Sequence, residues 1–126
     1  MNQQIEGFFQ RYARAAEAMQ IEELAALHHT PCLKVHGDGS VQLLSDRDAV
    51  CAFFRELAGK YAARDHSGGR FNDLEVQSIG TAGAFASLTW EQYRSDGSTY
   101  RTFRRSYNLI RSGSDWKILV ATFHRA

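Results

Sequence analysis

The chain has 126 residues, of which 44% are hydrophobic and 23% charged, an ordinary balance for a globular protein that buries a core. Its net charge of +1 argues against wholesale binding to nucleic acid or anionic membranes, and its apolar runs fall short of the roughly 20 residues that span a bilayer. We therefore expect a single domain over residues 1–126, in the cytoplasm because the N-terminus lacks a signal-peptide pattern. Cys32 and Cys51 are too few for a disulfide framework and are expected to be reduced core thiols.

The first third of the chain predicts two helices and a hairpin. Residues 3–19 carry apolar side chains at helical spacing, namely Ile5, Phe8, Phe9, Tyr12, Ala13, Ala16 and Met19. A second, shorter helix starts at Ile21 and must end before Pro31, because the residue that precedes a proline is pushed out of the helical region. Residues 33–36 then predict a short strand, residues 36–40 a turn, and residues 41–44 the partner strand.

The remainder predicts one helix followed by four strands. Ser45 is a suitable N-cap for a third helix of about four turns, and residues 64–70 form a polar, glycine-rich stretch that predicts a loop. Strands are predicted over residues 71–79, 84–94, 99–111 and 115–125. Asp96-Gly97 is the strongest hairpin signal between them. The predicted order is α-α-β-β-α-β-β-β-β.

Two segments carry a resemblance to a known superfamily. GFFQRYARAAEAMQIEELAALHH, residues 7–29, resembles the opening helix pair of nuclear transport factor 2, ketosteroid isomerase and the SnoaL-like polyketide cyclases, and GSDWKI, residues 113–118, resembles their entry into the last strand. The resemblance implies an α+β cystatin-like cone, in which three helices pack on a strongly curved, mostly antiparallel sheet around a ligand-sized hollow. It also implies a homodimer that pairs through the sheet. Met19-Gln20 replaces the Gly-Asp that is common between the first two helices, so the subfamily is not assigned.

The same resemblance implies three catalytic candidates. When the ketosteroid isomerase pattern is laid on this chain, Tyr12 falls on the oxyanion-binding tyrosine, His36 on the catalytic base, and Asn108 on the second oxyanion donor, with Tyr107 as the alternative. A phenol and a carboxamide can both donate to a developing enolate, and a histidine can shuttle a proton near neutral pH. The residues also have structural interpretations. Tyr12 fits a helix core, His36 a solvated strand end, and the inward face of the strand around Asn108 is left open by the sequence.

Six residues are candidates for contact with a substrate: Phe9, Phe54, Trp90, Glu91, Tyr107 and Phe123. Trp90 fits either a pocket wall or a dimer-face aromatic. Glu91 has the opposite strand phase, so it is either a base inside the hollow or an outward, salt-bridged carboxylate. Trp116, at the start of the last strand, is expected to be a structural plug.

The chain lacks a nucleophile elbow, a P-loop, a dinucleotide fingerprint and metal-ligand spacing, so we expect neither cofactor nor metal. One predicted hairpin interleaves arginines with aromatic residues, the arginines being Arg94, Arg101, Arg104, Arg105 and Arg111. A dimer face is favoured over a nucleic-acid surface for this pattern, and a pocket arginine that fixes a substrate carboxylate is the third possibility.

Two functions are consistent with these observations. The first is a small-molecule-binding protein that catalyses proton transfer, as in an isomerisation, cyclisation or dehydration, on a small carbonyl-bearing substrate. The second is a non-catalytic ligand-binding or dimerisation module with the same fold.

Overall fold

Three helices and six strands follow one another in the order that the sequence predicts. The structure, a computed structural model, describes residues 2–124. The helices are α1 (Asn2–Glu17), α2 (Ile21–Ala26) and α3 (Arg47–Ala63). The strands are β1 (His28–Val35), β2 (Val41–Leu44), β3 (His66–Ile79), β4 (Gly83–Arg94), β5 (Thr99–Ser112) and β6 (Asp115–Phe123).

The strands form one curved sheet in the order β2-β1-β6-β5-β4-β3. β1 and β6 run parallel, and the other neighbouring pairs run antiparallel. The strands β3, β4 and β5 are 14, 12 and 14 residues long, enough for the sheet to curl around the helices. The predicted α+β cone of helices on a mostly antiparallel sheet is therefore confirmed.

The core lies between the helices and the concave face of the sheet. Ile5, Phe8 and Phe9 of α1 are fully buried because their helical spacing places them on one face. β4 shows the alternation of a half-buried strand, with Ala84, Ala86, Leu88, Trp90 and Gln92 buried and the residues between them only partly so. Burying each large apolar side chain stabilises the fold by about 1.5–3 kcal/mol.

The strand phase of β5, which the sequence leaves open, is fixed by this core. Tyr107 and Leu109 are buried, and the ring of Tyr107 lies 4.9 Å from that of Phe9 between centroids. Because side chains alternate along a strand, Asn108 belongs to the opposite, convex face. The concave face of β5 thus carries the odd-numbered residues from Arg101 to Leu109.

The predicted loop at residues 64–70 is wrong, because β3 begins at His66. Gly68 and Gly69 pair with Tyr93 and Gln92 of β4. A Cβ atom at Gly68 would lie 2.7 Å from the hydroxyl of Tyr93, so a glycine there serves close packing between strands. A prediction from local composition alone assigns these glycines to a loop, because it does not include the contact with Tyr93.

Other boundaries also move. α2 ends at Ala26 and β1 begins at His28, whereas the sequence predicted a strand only from residue 33. The N-cap of α3 is Asp46, one residue after the predicted Ser45, and its side chain accepts a 2.8 Å hydrogen bond from the backbone N–H of Ala49. β6 ends at Phe123, whereas the prediction ran to residue 125, which lies outside the described residues.

The two cysteines, Cys32 and Cys51, are buried and unpaired, as predicted. Trp116 is buried, and its indole N–H donates a 3.1 Å hydrogen bond to Gln4 of α1, in agreement with the predicted plug. Within residues 2–124, none of the helices has the length and apolar character needed to cross a membrane.

Candidate functional site

A cavity of about 470 Å³ opens between the helices and the concave face of the sheet. Its volume is within the range of small-molecule sites. The inner wall comes from α1, β1, α3, β4, β5 and β6, and includes Tyr12, Lys34, Phe53, Phe54, Trp90, Arg105, Tyr107 and Phe123. The mouth consists of the exposed lining residues His36, Gln42, Glu56, Lys60 and Arg64.

Two phenols and an indole form the aromatic part of the wall. The ring centroids of Tyr12 and Trp90 are 5.7 Å apart, and Trp90 donates its indole N–H to the hydroxyl oxygen of Tyr107 at 2.9 Å. The Tyr107 proton is thus free to be donated elsewhere. The Tyr12 hydroxyl has no hydrogen-bond partner among the described residues. Burial raises the pKa of both Tyr12 and Tyr107, so both hydroxyls are protonated donors near neutral pH.

Lys34 of β1 is a cation on the inner wall with an exposure of only 2%. Its Nζ donates a 2.9 Å hydrogen bond to Nε2 of His28. His28 Nδ1 lies 2.7 Å from the carbonyl oxygen of Leu24, which can only accept, so Nδ1 carries the ring hydrogen and Nε2 is the acceptor for Lys34. Burial and the neighbouring charge of Lys34 hold the pKa of His28 well below its usual range, which keeps this imidazole neutral.

Two aromatic rings of α3 also lie close to Lys34. Its Nζ lies 5.2 and 5.3 Å from the ring centroids of Phe53 and Phe54. Lys34 forms no ion pair with a carboxylate in the described part of the chain. Burial, with a smaller contribution from Arg105, lowers the pKa of Lys34 to about 7. A charged and a neutral amine are therefore both accessible near neutral pH.

Arg105 of β5 is the second inner cation. Its Cζ lies 5.9 Å from the ring centroids of both Tyr107 and Phe123. Its Nε is buried and has no hydrogen-bond partner within residues 2–124. Over the same range, Arg105 forms no ion pair with a carboxylate. A buried donor without a partner costs about 1–3 kcal/mol, so this side chain is poised to bind an acceptor.

A polar network lies beside the mouth. The rings of Tyr61 and His66 stack at 3.9 Å, and Gln92 donates a 3.0 Å hydrogen bond to the Tyr61 hydroxyl. His66 Nδ1 lies 2.7 Å from the hydroxyl of Tyr100. Partial burial and then the charge of Arg64 lower the pKa of His66, so this ring is neutral near pH 7.

The cavity is strongly basic although the chain is nearly neutral. The described lining residues comprise five cations against one acid, with Lys34, Lys60, Arg64, Arg101 and Arg105 as the cations. The acid is Glu56 at the mouth, which is already engaged by Lys60 at 3.8 Å. The inner cations are therefore left to attract an anionic ligand.

The three predicted catalytic residues do not meet at one point. Tyr12 lies in the cavity wall at 8% exposure, whereas His36 is exposed at the mouth, where its Nε2 lies 3.1 Å from the amide oxygen of Gln42. Asn108 lies on the convex face and does not line the cavity. The placement of Asn108 in the hollow was wrong, because a shift of one residue along a strand reverses the face. The alternative that the sequence offered, Tyr107, occupies the wall instead.

Four of the predicted substrate contacts line the cavity: Phe54, Trp90, Tyr107 and Phe123. Phe9 lies behind the wall as a fully buried core residue that packs on Tyr107. Glu91 points to the convex face, where it pairs with Arg70 at 3.5 Å and accepts a 2.6 Å hydrogen bond from Asn72. Of its two interpretations, the outward salt bridge is therefore the one observed, because Glu91 alternates with Trp90.

Sequence reasoning missed Lys34. The signal was available in the alternation of β1, where Cys32 and Lys34 share a face and Cys32 is a core residue. Arg105 was anticipated only as one arginine of a crowded hairpin. The structure divides that hairpin between two faces, with Arg101 and Arg105 inward and Arg104 outward beside Glu75. No group of three or more potential metal ligands comes together in the described ranges.

Comparisons with solved structures show the same fold. Aln2 from a Streptomyces species superposes with a TM-score of 0.81 at 16% identity, over 97% of this chain and 88% of that one. An NTF2-like protein with a cystatin-like fold from Novosphingobium aromaticivorans gives 0.79 at 16% identity, over 98% and 80%. An NTF2-like protein of unknown function from Shewanella oneidensis gives 0.77 at 12% identity, over 98% of both chains. At these identities the likeness concerns the fold.

Among curated proteins, none matches this sequence. The profile of one protein family, described as NTF2-like protein (DUF6841), matches residues 2–126. The match spans the helices, the curved sheet and every wall of the basic cavity. The chain therefore belongs to the NTF2-like protein family DUF6841.

Proposed function

We propose that this protein binds a small organic anion, with an aromatic or branched apolar body, inside the cone. The proposal rests on the two inner cations, Lys34 and Arg105. Both line the cavity, and neither has a carboxylate of the described chain beside it. Buried charges in proteins are normally paired. A ligand carboxylate in the cavity would supply the missing partner.

Two features of the wall support this ligand class. The unpartnered Nε of Arg105 can donate to a carboxylate oxygen, and charge-assisted hydrogen bonds of this type are the stronger ones. The rings of Tyr12 and Trp90 and of Phe54 offer apolar contact to the body of the ligand. A molecule with an anionic head and an apolar body therefore satisfies both halves of the cavity.

A matched pair of ligands and a matched pair of variants test the proposal. Thermal shift and calorimetry with phenylacetate, benzoate and their neutral amides should show binding of the carboxylates over the amides. Arg105→Gln should weaken carboxylate binding by about 10- to 100-fold, the equivalent of one charge-assisted hydrogen bond. Arg104→Gln is the control, because its guanidinium lies on the convex face of the same strand. Equal affinity for acid and amide, or equal loss in both variants, would contradict anion binding.

A second candidate function is proton transfer on a carbonyl compound, whose enolate is itself an anion. It is favoured by the two protonated phenols, since Tyr107 keeps its hydrogen free while accepting from Trp90, and Tyr12 has a free hydroxyl in the described structure. Donors of this kind stabilise an oxyanion. In this proposal Tyr12 and Tyr107 hold the oxyanion, and His36 at the mouth exchanges the proton with water.

Exchange of carbon-bound hydrogen reports on this second function. Phenylacetone in D₂O should lose its α-proton NMR signals faster with the protein than without it, and Tyr107→Phe should slow the exchange. His36→Ala should slow it while leaving thermal stability unchanged, because His36 is exposed. Absence of exchange together with carboxylate binding would instead identify the non-catalytic ligand-binding module that the sequence also allows.

Homodimerisation through the convex face of the sheet stays a prediction. The convex face of β5 carries polar residues such as Thr102, Arg104 and Ser106. Multi-angle light scattering of the purified chain measures the mass directly. A monomer at all concentrations would contradict the prediction and leave the cavity proposals unaffected.

A further inference from the structure

The inner wall contains a nucleophile that anion binding alone does not require. We propose that Lys34 is an amine nucleophile, and that its Nζ forms an imine with the carbonyl carbon of an aldehyde or ketone held in the cavity. The inference rests on the proposed function only in that the cavity must admit a small molecule.

The position of Lys34 is rigid. It lies in β1, which is paired on one side with β2 and on the other with β6, where Lys34 is opposite Gln42 and Ala121 respectively. Its Nζ is oriented by the hydrogen bond to His28 Nε2, and His28 is itself held by the carbonyl of Leu24. The amine is thus fixed at the cavity wall and shielded from bulk solvent.

The groups that face Lys34 include no carboxylate in the described part of the chain, so burial and the charge of Arg105 shift its amine towards the uncharged form. α3 presents the rings of Phe53 and Phe54, and α2 presents Leu24. On β1 itself, His28 is a neutral acceptor and Cys32 is a buried thiol.

On β5, the positive charge of the Arg105 guanidinium disfavours a second positive charge at Lys34. On α1, Tyr12 is a protonated and therefore neutral phenol. The lowered pKa of Lys34, about 7, agrees with this arrangement. A substantial fraction of Lys34 is therefore an unprotonated amine at neutral pH.

The reaction needs no co-reactant. The lone pair of Nζ adds to the carbonyl carbon, a C–N bond forms, and the C=O electron pair moves onto oxygen. His28 Nε2, which already accepts a hydrogen from Nζ, is placed to take the first amine proton and pass it on to that oxygen. The second amine hydrogen then leaves with the oxygen as water, and a C=N bond remains. Amine and carbonyl thus give imine and water, without oxidation or reduction.

Reductive trapping tests this chemistry. The full-length protein is incubated with benzaldehyde and sodium cyanoborohydride at neutral pH, which converts an imine into a stable secondary amine. The chain has three lysines, Lys34, Lys60 and Lys117, so peptide mapping assigns the adduct without ambiguity. We expect a single adduct on Lys34 that forms on the order of a thousandfold faster than on an ordinary exposed lysine, since about half of Lys34 is unprotonated at pH 7 against about one in 2,500 for a pKa near 10.4.

Two variants and a pH series complete the experiment. Lys34→Met should abolish the fast adduct, and it removes a buried charge, so it is expected to fold. Lys117→Arg is the control, because Lys117 is remote from the cavity and donates to the backbone of Ala26. The trapping rate should rise with pH through about 7 and level off above it, whereas an ordinary lysine continues to gain reactivity towards pH 10.

The outcomes separate this inference from the proposed function. Fast trapping at Lys34 by benzaldehyde without any response to benzoate supports the nucleophile and overturns the anion site. Benzoate binding with Lys34 unlabelled overturns the nucleophile and leaves the anion site intact. Adducts on Lys60 or the N-terminal amine at the rate of Lys34 would also overturn it, because they would reflect unselective chemistry.

Discussion

The two faces of β5 place neighbouring arginines in opposite situations. On the convex face, Arg104 donates to the carboxylate of Glu75 at 2.7 Å, to the hydroxyl of Thr89 at 3.1 Å and to the backbone carbonyl of Asp73 at 3.2 Å. On the concave face, Arg105 has a buried Nε with no partner in the described chain and lies over aromatic rings. The two side chains are adjacent in sequence and differ only in strand phase.

The contrast shows where the protein satisfies its own charges. The convex cations Arg70 and Arg104 have carboxylate partners in Glu91 and Glu75. The concave cations face rings and a neutral imidazole instead. An exposed ion pair costs little free energy to form, so cations on a structural surface can be paired with a nearby carboxylate. Unpaired buried charges are expensive, and they cluster at functional sites. The concave face therefore resembles a binding site, whereas the convex face resembles a surface whose cations are already paired within the chain.

The largest effect is expected at Lys34, the most buried cation of the concave face. Lys34→Met should raise the free energy of unfolding by up to about 5 kcal/mol below pH 7, the equivalent of a pKa lowered from 10.5 to about 7. Urea denaturation at about pH 6 and at about pH 9 measures the difference. An unchanged or reduced stability of Lys34→Met at low pH would remove the distinction between the two faces.

The pH dependence of that difference has a definite sign. Between pH 7 and 10.5 the unfolded chain binds a proton at Lys34 that the folded chain does not, so the stability of the natural chain rises with pH in this window. Below pH 7 both states are protonated and the full cost of the buried charge is present. The advantage of Lys34→Met should therefore be greatest below pH 7 and shrink as the pH rises towards 10.5.

A smaller effect is expected from packing on the two faces of β4. Leu88 is fully buried on the concave face, so Leu88→Ala should cost about 2–5 kcal/mol through lost burial and the cavity that remains. Thr89→Ala, the next residue, removes a partly exposed side chain and one hydrogen bond from Arg104, so it should cost about 1 kcal/mol. Urea denaturation of both variants tests which residues of β4 face the core. A larger loss of stability in Thr89→Ala than in Leu88→Ala would contradict the assignment.

The smallest effect is expected at the convex ion pair. Glu75 is 80% exposed, so Glu75→Gln should change stability by less than about 1 kcal/mol and leave carboxylate binding unchanged. The effect should diminish further in high salt, because exposed pairs are screened. A loss of ligand affinity in Glu75→Gln would show that the two faces are coupled.

Much of the fold could be predicted, because it depends on local patterns. The helical spacing from Ile5 to Met19 and the strand alternation after Phe71 gave the correct element order. The GSDWKI segment and the opening helices pointed to the right superfamily. The exceptions were positions where a distant contact overrides composition, such as Gly68, whose missing side chain makes room for Tyr93.

The site was less accessible to prediction, since it depends on strand phase. Tyr12 was placed correctly in the wall because a helix face can be identified from spacing. Asn108 was misplaced, and Lys34 was overlooked because a lysine in a strand is ordinarily a surface residue.

By itself, the sequence determined the order of the elements, the apolar faces of the helices and the kinship to the NTF2-like superfamily, because periodicity and turn chemistry act within a few residues along the chain. Only the tertiary structure decided which side of β5 faces the hollow. It also decided that Lys34 and Arg105 share a wall without a carboxylate from the described chain. The strand phase of β5 is set by packing against α1, and the pairing of charges is set by strands that are distant in sequence. Neither is encoded by neighbouring residues.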